Sequence, residues 1–239
     1  MDQKKLRVFG FIFARGGSKG VKKKNIRILA GKPLIRYAVE EALKSRYIES
    51  IMVSTDNEEI QQAALAAGAQ IPFTRPAELA GDTSPEWLSW QHAVRTLKDK
   101  GEEFDIFVSI PTTSPLRTVA DIDACIEAMV EDEEADAVIT VTRAARHPSF
   151  NMVVINDKGY AAIAMPGKGP VTRRQDVPGM YDITTVAYAV RSEFILNASS
   201  LFEGRVKAVE IPRERALDID TEFDFLVAEL VINHGLAKE

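Results

Sequence analysis

Residues 8–20 read VFGFIFARGGSKG, an apolar run that opens into a loop rich in glycine and positive charge. The run has the β-branched and aromatic composition of a buried strand. The glycines leave backbone N–H groups free to converge on an anion, and Arg15, Lys19 and Lys24 can neutralise a highly charged ligand. A nucleoside triphosphate is therefore the first candidate ligand. The spacing matches neither G-x-x-x-x-G-K-[ST] nor G-x-G-x-x-G, and a solvated basic turn is the alternative.

The composition limits what kind of partner the chain can have. Its 239 residues carry a formal net charge of −5, so the positive charge is local to residues 15–24 and the chain is no general binder of nucleic acid. The single cysteine, Cys125, excludes an intramolecular disulfide and a cysteine-based zinc site, and its helical apolar spacing predicts a buried, unreactive thiol. Because there is neither a signal-peptide core nor a long apolar segment, we expect a cytoplasmic protein without membrane contact.

The order of the secondary-structure patterns predicts the fold class. From residue 6 to about 142, short β-branched runs alternate with amphipathic helical segments, which indicates an α/β protein with a largely parallel sheet. We expect strands near residues 7–13, 51–54, 69–73, 105–110 and 136–142. We expect helices over 33–46, from Asp56 or Asn57 to a stop at Gly68, from Ser84, and from Thr118 with Asp121.

The pattern changes after residue 142. Residues 151–155 and 160–164 flank a turn at 156–159 and predict a hairpin. Because a two-stranded hairpin is poorly stable alone, we expect it to pack on its own core or on a second chain. The alternation then resumes with a strand over 185–190, a short helix from Ser192, a strand over 206–211, and a last helix with the capping pair Thr221 and Asp224.

Two carboxylates come just before that last helix. In an extended segment residues two apart point to the same side, so Asp218 and Asp220 are predicted to present their carboxylates together. Like charges so placed are costly unless a cation lies between them, and hard oxygen ligands suit Mg²⁺, which takes its remaining ligands from water and substrate phosphates. The alternative is that Asp220 helps to cap the last helix while Asp218 is exposed.

Further polar residues fall at expected strand ends. Ligands in open α/β sheets bind outside the carboxyl ends of the strands. The residues expected there are Arg15, Arg75, Asp82, Ser84 and Ser114. Their shared location indicates one binding site more strongly than any single motif does.

The loop after the hairpin contains two adjacent arginines. The segment Thr172-Arg173-Arg174-Gln175 follows glycines and a proline that favour an open loop over a helix face. Because the planar fork of arginine matches carboxylate and phosphate oxygens, Arg173 and Arg174 are candidates for binding an acidic substrate. The alternative is a solubilising surface.

Several segments occur in order along the chain: ARGGSKG-VKKKN from residue 14, VSTD at 53–56, RPAELAGD at 75–82, TSPLR at 113–117, RRQD at 173–176 and DIDTEFDF at 218–225. In this combination the chain resembles the acylneuraminate (nonulosonate) cytidylyltransferase family, the CMP-sialic acid synthetase group, from about residue 7 to 230. The first and last segments are fairly specific. The resemblance implies a Rossmann-like nucleotidyltransferase fold in a single domain over 1–239, with a protruding dimerisation and sugar-site insertion at 143–180.

The resemblance also implies an activity and a set of site residues. CTP and a 2-keto-3-deoxy sugar acid would give a CMP-sugar and pyrophosphate, in a homodimer or alternatively a tetramer. The residues implied at the nucleotide are Arg15, Gly16, Gly17, Ser18, Lys19, Lys24, Asn25, Arg75, Asp82 and Ser84. The residues implied at the sugar are Ser114, Arg173, Arg174 and Gln175, with Arg173 as the candidate essential arginine. Asp218 and Asp220 would hold Mg²⁺.

Two departures from the family pattern lie on the sugar side. Pro111 stands where the family commonly has a glutamine that contacts the sugar, and Asp182-Ile183-Thr184-Thr185 replaces an Asn-Gly or Asn-Ala type segment. These changes leave the acceptor open among N-acetylneuraminate, legionaminate-like, pseudaminate-like and other keto acids. The segment 146–151 is similar to legionaminate-type members, and His147 within it is expected to be an exposed loop residue rather than a base.

The implied reaction is attack by the anomeric C2 hydroxyl of the sugar acid on the α-phosphorus of CTP, with pyrophosphate leaving. Such a reaction needs positive charge and positioning more than a covalent nucleophile. The first candidate for the general base is Asp218, or a metal-bound hydroxide that it holds. Two alternatives stay open: a nucleotidyltransferase with a different acceptor or base, and a catalytically silent nucleotide-binding protein. The presence of both Asp218 and Asp220 argues against silence, because a binding module has little need for a second carboxylate.

Overall fold

The computed structural model of the chain describes residues 6–166 and 178–236. The strands are β1 (Val8–Phe13), β2 (Ile28–Leu29), β3 (Lys32–Pro33), β4 (Ile48–Ser54), β5 (Ile106–Ser109), β6 (Ala137–Arg143), β7 (Val153–Ile155), β8 (Ala161–Ile163), β9 (Tyr181–Arg191) and β10 (Val206–Glu210). The helices are α1 (Leu34–Ala42), α2 (Glu58–Ala66), α3 (Glu86–Asp99), α4 (Val119–Val130), α5 (Ser192–Asn197) and α6 (Glu222–Asn233). Within these two ranges no helix is long and apolar enough to cross a membrane.

The central sheet has six strands in the order β10-β6-β9-β5-β1-β4. Strand β1 pairs in parallel with β4 and β5, and β6 pairs in parallel with β10. Strand β9 runs antiparallel to its neighbours β5 and β6. The prediction of a largely parallel sheet in an α/β fold is confirmed. Because β1, β4 and β5 point the same way, the loops that follow them meet at one edge of the sheet.

Alternation of side chains along β1 divides the core into two layers. Ile12 faces a cluster that includes Ile35 of α1 and Ile126 of α4. Phe11 faces the opposite cluster, which includes helix α3, and stacks on Phe107 with the ring centroids 4.3 Å apart. Helices therefore cover both faces of the sheet, and the strand ends are left to the loops.

Two expected elements differ from the observed ones. Residues 69–73 do not form a strand, because only Gln70 makes an isolated parallel bridge to β4. Pro72 has no backbone N–H with which to continue the ladder. Helix α1 is shorter than the expected span of 33–46 and ends at Ala42.

The predicted helix caps are present. The Asn57 side chain accepts a hydrogen bond from the backbone N–H three residues later and caps α2. Thr118 and Asp121 form a capping box at α4, and Thr221 and Asp224 form one at α6. These signals depend on residues three positions apart, so the sequence is sufficient to find them.

Cys125 on α4 is fully buried. Burial raises the pKa of its thiol to about 12, so the reactive thiolate does not form near neutral pH. The expected buried, unreactive thiol is confirmed.

Strands β7 and β8 form the predicted hairpin. Val153 pairs with Ile163, and Ile155 pairs with Ala161. Gly159 in the turn has a φ of +82°, a left-handed conformation that glycine adopts without strain. Among the described strands these two pair only with each other, and Ile155 is 69% exposed. The hairpin therefore presents apolar side chains outside the core.

Candidate active site

A cleft of ≈ 350 Å³ lies at the loop-bearing edge of the central sheet. Its walls come from the glycine-rich loop after β1, from residues within 75–89, from the loop 111–113 after β5, and from the segment before α6. Thr185 and Tyr188 of β9 complete the lining. These parts are far apart in sequence, and the strand order brings them together.

The glycine-rich loop is held in place by Asn25. The Nδ2 of Asn25 donates to the Arg15 carbonyl at 2.9 Å, and its Oδ1 accepts from the Thr112 hydroxyl at 2.6 Å. The Gly16 N–H donates to the Asp56 carboxylate at 2.9 Å. Asn25, expected among the nucleotide-binding residues, therefore has both ends of its side-chain amide engaged in fixing the loop.

Gly20 packs directly against the acidic segment before α6. A Cβ at Gly20 would lie 2.0 Å from the carbonyl oxygen of Asp220, which is far inside the contact distance of any real side chain. A Cβ at Gly17 would meet nothing within 4 Å. Close backbone approach therefore requires glycine at position 20 and not at position 17.

Lys24 joins the glycine-rich loop to the same acidic segment. Its Nζ donates to the Ile219 carbonyl at 2.6 Å and lies 3.5 Å from Oδ1 of Asp220. On the other side, the Ile219 N–H donates to the Thr113 carbonyl at 2.8 Å. The segment that carries the two aspartates is thus fixed by contacts to two different loops.

Asp218 and Asp220 both line the cleft, as the alternation predicts. The Oδ1 of Asp218 is buried and has no hydrogen-bond partner among the described residues, whereas the Asp220 side chain is 73% exposed. The cap of α6 is made by Thr221 and Asp224, so the Asp220 carboxylate is not used there. A buried carboxylate oxygen without a donor suits a cation, because burying such an atom without a partner is costly.

Two loop cations share one carboxylate across the cleft mouth. The Arg15 Nη1 lies 2.8 Å from Oδ1 of Asp82, and the Lys19 Nζ lies 2.5 Å from Oδ2. The hydrogen bond from Lys19, followed by the charges of both cations, lowers the pKa of the Asp82 carboxyl. The structure thus brings together three residues that the sequence placed at the nucleotide.

Arg75 and Ser84 also line the cleft. Arg75 is buried, and its guanidinium donates to the Ser54 hydroxyl at 3.2 Å and to the Ser54 carbonyl at 3.0 Å. Burial lowers the pKa of Arg75. The Ser84 hydroxyl is buried without a hydrogen-bond partner among the described residues. Arg75 therefore offers a fixed cation to a polar ligand, and Ser84 offers a hydroxyl without a partner among the described residues.

Ser114 and Arg117 lie behind the cleft wall. The fully buried Ser114 hydroxyl shares a hydrogen bond of 2.7 Å with Thr185, and Ser114 does not line the cleft, although it was expected at the sugar. Arg117 donates to the carbonyls of Pro111 and Thr185. Burial lowers the pKa of Arg117 to about 9. The sequence showed Arg117 inside TSPLR but gave no chemical reason to single it out.

Tyr188, unlike Arg117, lines the cleft, and the sequence analysis missed it. Desolvation, with a smaller contribution from the charges of Glu86 and Asp218, raises its pKa to about 12. Its hydroxyl is therefore a neutral hydrogen-bonding group at neutral pH. A polar ring within the otherwise apolar run 186–190 was the available signal.

The sugar-side arginine cluster is not part of the described structure: Arg173, Arg174 and Gln175 lie outside residues 6–166 and 178–236.

His147 was expected to be an exposed loop residue, and this expectation was wrong, because the residue is buried. Its Nδ1 accepts from the Ser149 N–H at 3.0 Å, and its Nε2 lies 3.1 Å from the Pro178 carbonyl. The ring stabilises the local turn, and it is not exposed.

Comparison with known proteins adds a family to this geometry. The chain matches the family model described as Cytidylyltransferase over residues 9–227. It is 34% identical over 222 residues to the post-translational flagellin modification protein B of Campylobacter coli, covering 92% of this chain and 93% of that protein. It is 32% identical over 223 residues to the CMP-N,N'-diacetyllegionaminic acid synthase of Campylobacter jejuni, covering 93% of each.

Two further similarities differ in kind. The N-acylneuraminate cytidylyltransferase of Streptococcus agalactiae is 32% identical over 230 residues, and the match covers 95% of this chain but 54% of that protein. The chain therefore spans about half the length of this relative. A solved structure of CMP:2-keto-3-deoxy-manno-octonic acid synthetase complexed with CTP superposes with a TM-score of 0.70 at 18% identity, covering 96% of this chain and 99% of that one. At this identity the superposition shows a shared fold.

The family model extends over most of the chain, and both Campylobacter relatives match it almost end to end at more than 30% identity. The resemblance found in the sequence is thereby confirmed. The chain belongs to the cytidylyltransferase family.

Proposed function

We propose that the chain transfers CMP from CTP to the anomeric C2 hydroxyl of a 2-keto-3-deoxy sugar acid of the nonulosonate class and releases pyrophosphate. The observation that carries this proposal is that a cationic glycine loop, a buried arginine and a carboxylate with one buried, unpartnered oxygen meet in one cleft. The names of the relatives, which include a legionaminic acid synthase and an N-acylneuraminate cytidylyltransferase, support this acceptor class.

The cleft offers separate regions to the two ends of CTP. We assign the phosphates to Arg15, Lys19 and Lys24, with the backbone of Gly16, Gly17 and Ser18, because cations and backbone N–H groups stabilise phosphate oxygens; the Gly16 N–H would have to leave the Asp56 carboxylate to do so. We assign the cytidine end to Arg75 and Ser84, where a fixed cation and a free hydroxyl select polar groups. Asn25 serves the nucleotide by fixing the loop. The acceptor would then lie toward Tyr188, with Arg173, Arg174 and Gln175 as its expected surroundings, while Ser114 would act from behind the wall through its hydrogen bond to Thr185.

Asp218 and Asp220 would hold Mg²⁺ in this cleft. No cluster of three or more acidic, histidine or cysteine ligands occurs among the described residues, so the ion would take its remaining ligands from water and substrate. When bound, Mg²⁺ neutralises phosphate charge as it develops. The buried Oδ1 of Asp218 fits this role, and the same carboxylate is our candidate for accepting the proton of the attacking hydroxyl.

The test of the proposed function is pyrophosphate release. The purified chain is incubated with each of the four nucleoside triphosphates and with a panel of keto acids that includes N-acetylneuraminate, legionaminate-type and pseudaminate-type sugars. We expect release with CTP only, and only when a keto-sugar acid is present. Release with a sugar 1-phosphate, or no release with any keto acid, contradicts the proposal.

Removing a loop cation should weaken nucleotide binding. We expect Arg15→Ala and Lys24→Ala each to raise the Kd for CTP by about ten-fold, because each loses a charge-assisted hydrogen bond to phosphate. Titration calorimetry measures this. The matched control is Lys23→Ala, since Lys23 is the neighbour of Lys24 in the chain but pairs with Glu59 at 2.8 Å, whereas Lys24 contacts the acidic segment before α6. Wild-type affinity for CTP in both Arg15→Ala and Lys24→Ala would refute the phosphate assignment.

We further propose that the hairpin β7–β8 joins two copies of the chain. Its apolar side chains Val154 and Tyr160 are 58% and 72% exposed, and apolar surface of this kind is stabilised by a partner. The insertion 143–180 also contains Arg173, which would then help to complete the sugar site of the second copy. We also propose that this dimer is cytoplasmic, as the sequence analysis expects.

The sugar-side arginine gives a separate test. We expect Arg173→Ala to leave the Kd for CTP unchanged and to raise the KM for the keto acid by at least about ten-fold, because a sugar carboxylate loses its cationic partner. Steady-state kinetics with both substrates, together with light scattering, measures this. Normal keto-acid kinetics in the variant, or a fully active monomer in the wild type, would exclude the arrangement.

A further inference from the structure

Asp82 occupies the cations that the proposed function assigns to phosphate. One carboxylate oxygen lies 2.8 Å from Arg15 and the other 2.5 Å from Lys19, so a single side chain contacts both cations and offsets part of their charge. Asp82 lies on the loop that precedes α3, and its side chain is 42% exposed. Neither oxygen is needed to cap that helix, which begins after Pro85 without a side-chain cap. Capping of α3 therefore does not explain the position of the Asp82 carboxylate.

We propose that Asp82 competes with phosphate for Arg15 and Lys19 and thereby promotes the release of pyrophosphate. This inference rests on the proposed function. An incoming triphosphate displaces the carboxylate from both cations. After transfer, the carboxylate returns to them and takes the place that the leaving phosphates occupied. No covalent step is involved, and the exchange is one set of ion pairs for another.

The exchange is reversible, because the Asp82 carboxylate and the phosphates compete for the same two cations. Asp82 contributes one negative charge, and its pKa is lowered by Lys19 and Arg15, so it is ionised at neutral pH. A carboxylate held beside the cations reduces the attraction that a more highly charged ligand feels, and this reduction grows with the charge of the ligand. Pyrophosphate and CTP are affected more than CMP, whose phosphate carries about two charges. Product release limits the turnover of many enzymes, so easing the departure of pyrophosphate has a direct benefit.

A different role for Asp82 makes the opposite prediction. If the carboxylate served to orient Arg15 and Lys19 for the substrate, or contacted the nucleotide itself, then its removal would weaken binding of pyrophosphate and CTP. The two roles therefore differ in the sign of one measurable change.

The experiment compares Asp82→Asn with the wild type by titration calorimetry with inorganic pyrophosphate, CTP and CMP, each with Mg²⁺ at fixed concentration. We expect the variant to bind pyrophosphate about five-fold more tightly, the scale of two partly exposed ion pairs. We expect a change in the same direction for CTP and a smaller one for CMP. Pyrophosphate should also become a stronger product inhibitor, and Asp82→Glu, which keeps the carboxylate, should stay closer to the wild type.

The matched control is Glu59→Gln, which removes the same charge from another loop pair. Glu59 binds Lys23 at 2.8 Å, and neither residue lines the cleft. We expect its affinity for pyrophosphate to stay at the wild-type value. Unchanged or weaker pyrophosphate binding in Asp82→Asn, or an equal gain in Glu59→Gln, overturns the inference. Failure of the proposed function is distinguished from this, because the wild type would then release no pyrophosphate from CTP.

Discussion

Replacing Asp218 by asparagine is expected to lower the rate of CMP transfer by at least ~10²-fold, and replacing Asp220 by asparagine should have an effect of the same order. Asparagine keeps the size of the side chain but removes the charge that would attract Mg²⁺. Asp218→Asn removes a second function as well, because the same carboxylate is the candidate for accepting the proton of the sugar hydroxyl.

The measurement is kcat at increasing Mg²⁺, combined with direct binding of Mn²⁺ to the CTP complex by electron paramagnetic resonance. We expect weaker Mn²⁺ binding in both variants. The melting temperature is the control, and it should change little because neither carboxylate forms the α6 cap. Full activity of the wild type without divalent cation would refute the metal assignment.

Changing Gly20 to alanine is expected to lower kcat by about 10²-fold, the scale of a displacement of catalytic groups by one ångström. The added Cβ would lie 2.0 Å from the Asp220 carbonyl oxygen, so the backbone of the acidic segment has to move. Lys24 is bonded to the same segment through the Ile219 carbonyl at 2.6 Å, so the cationic loop and the aspartates would be displaced relative to each other.

The paired control is Gly17→Ala. This substitution lies in the same loop, has open space at the Cβ position and keeps the backbone N–H that we assign to phosphate. We expect this variant to keep kcat within about three-fold of the wild type, since no contact has to shift. Steady-state kinetics at saturating CTP and keto acid compares the two. Equal effects in Gly17→Ala and Gly20→Ala would show that the close approach to Asp220 is not what activity depends on.

Much of the fold could be predicted because its signals are local. The caps at Thr118 and Thr221 depend on a residue three positions later, and the hairpin depends on the turn at 156–159. The strand expected at 69–73 failed because its β-branched pattern was read without the cost of Pro72, which has no N–H to donate. The exposed position expected for His147 failed because its partners, the Ser149 N–H and the Pro178 carbonyl, come from folded backbone that a residue pattern does not show.

The site was predicted as a set of residues and not as a set of contacts. Arg15, Arg75 and Ser84 were expected at strand ends, Asp218 and Asp220 were expected just before the last helix, and the structure places all five in one cleft. Ser114 was expected there too, but its hydroxyl is bonded to Thr185 behind the wall. The motif containing Ser114 gave no information on which way its side chain points.

The α/β class, the glycine-rich cationic loop, the paired carboxylates and the family could be predicted from the residues alone, because each is carried by one or more short runs of neighbouring residues. The contacts of Lys24 with the Ile219 carbonyl, of Asp82 with both Arg15 and Lys19, and of Gly20 with Asp220 depend on the tertiary structure. The physical reason is distance along the chain. The order and direction of the strands bring together groups as far apart in the chain as Gly20 and Asp220, and no pattern within a short window contains that order.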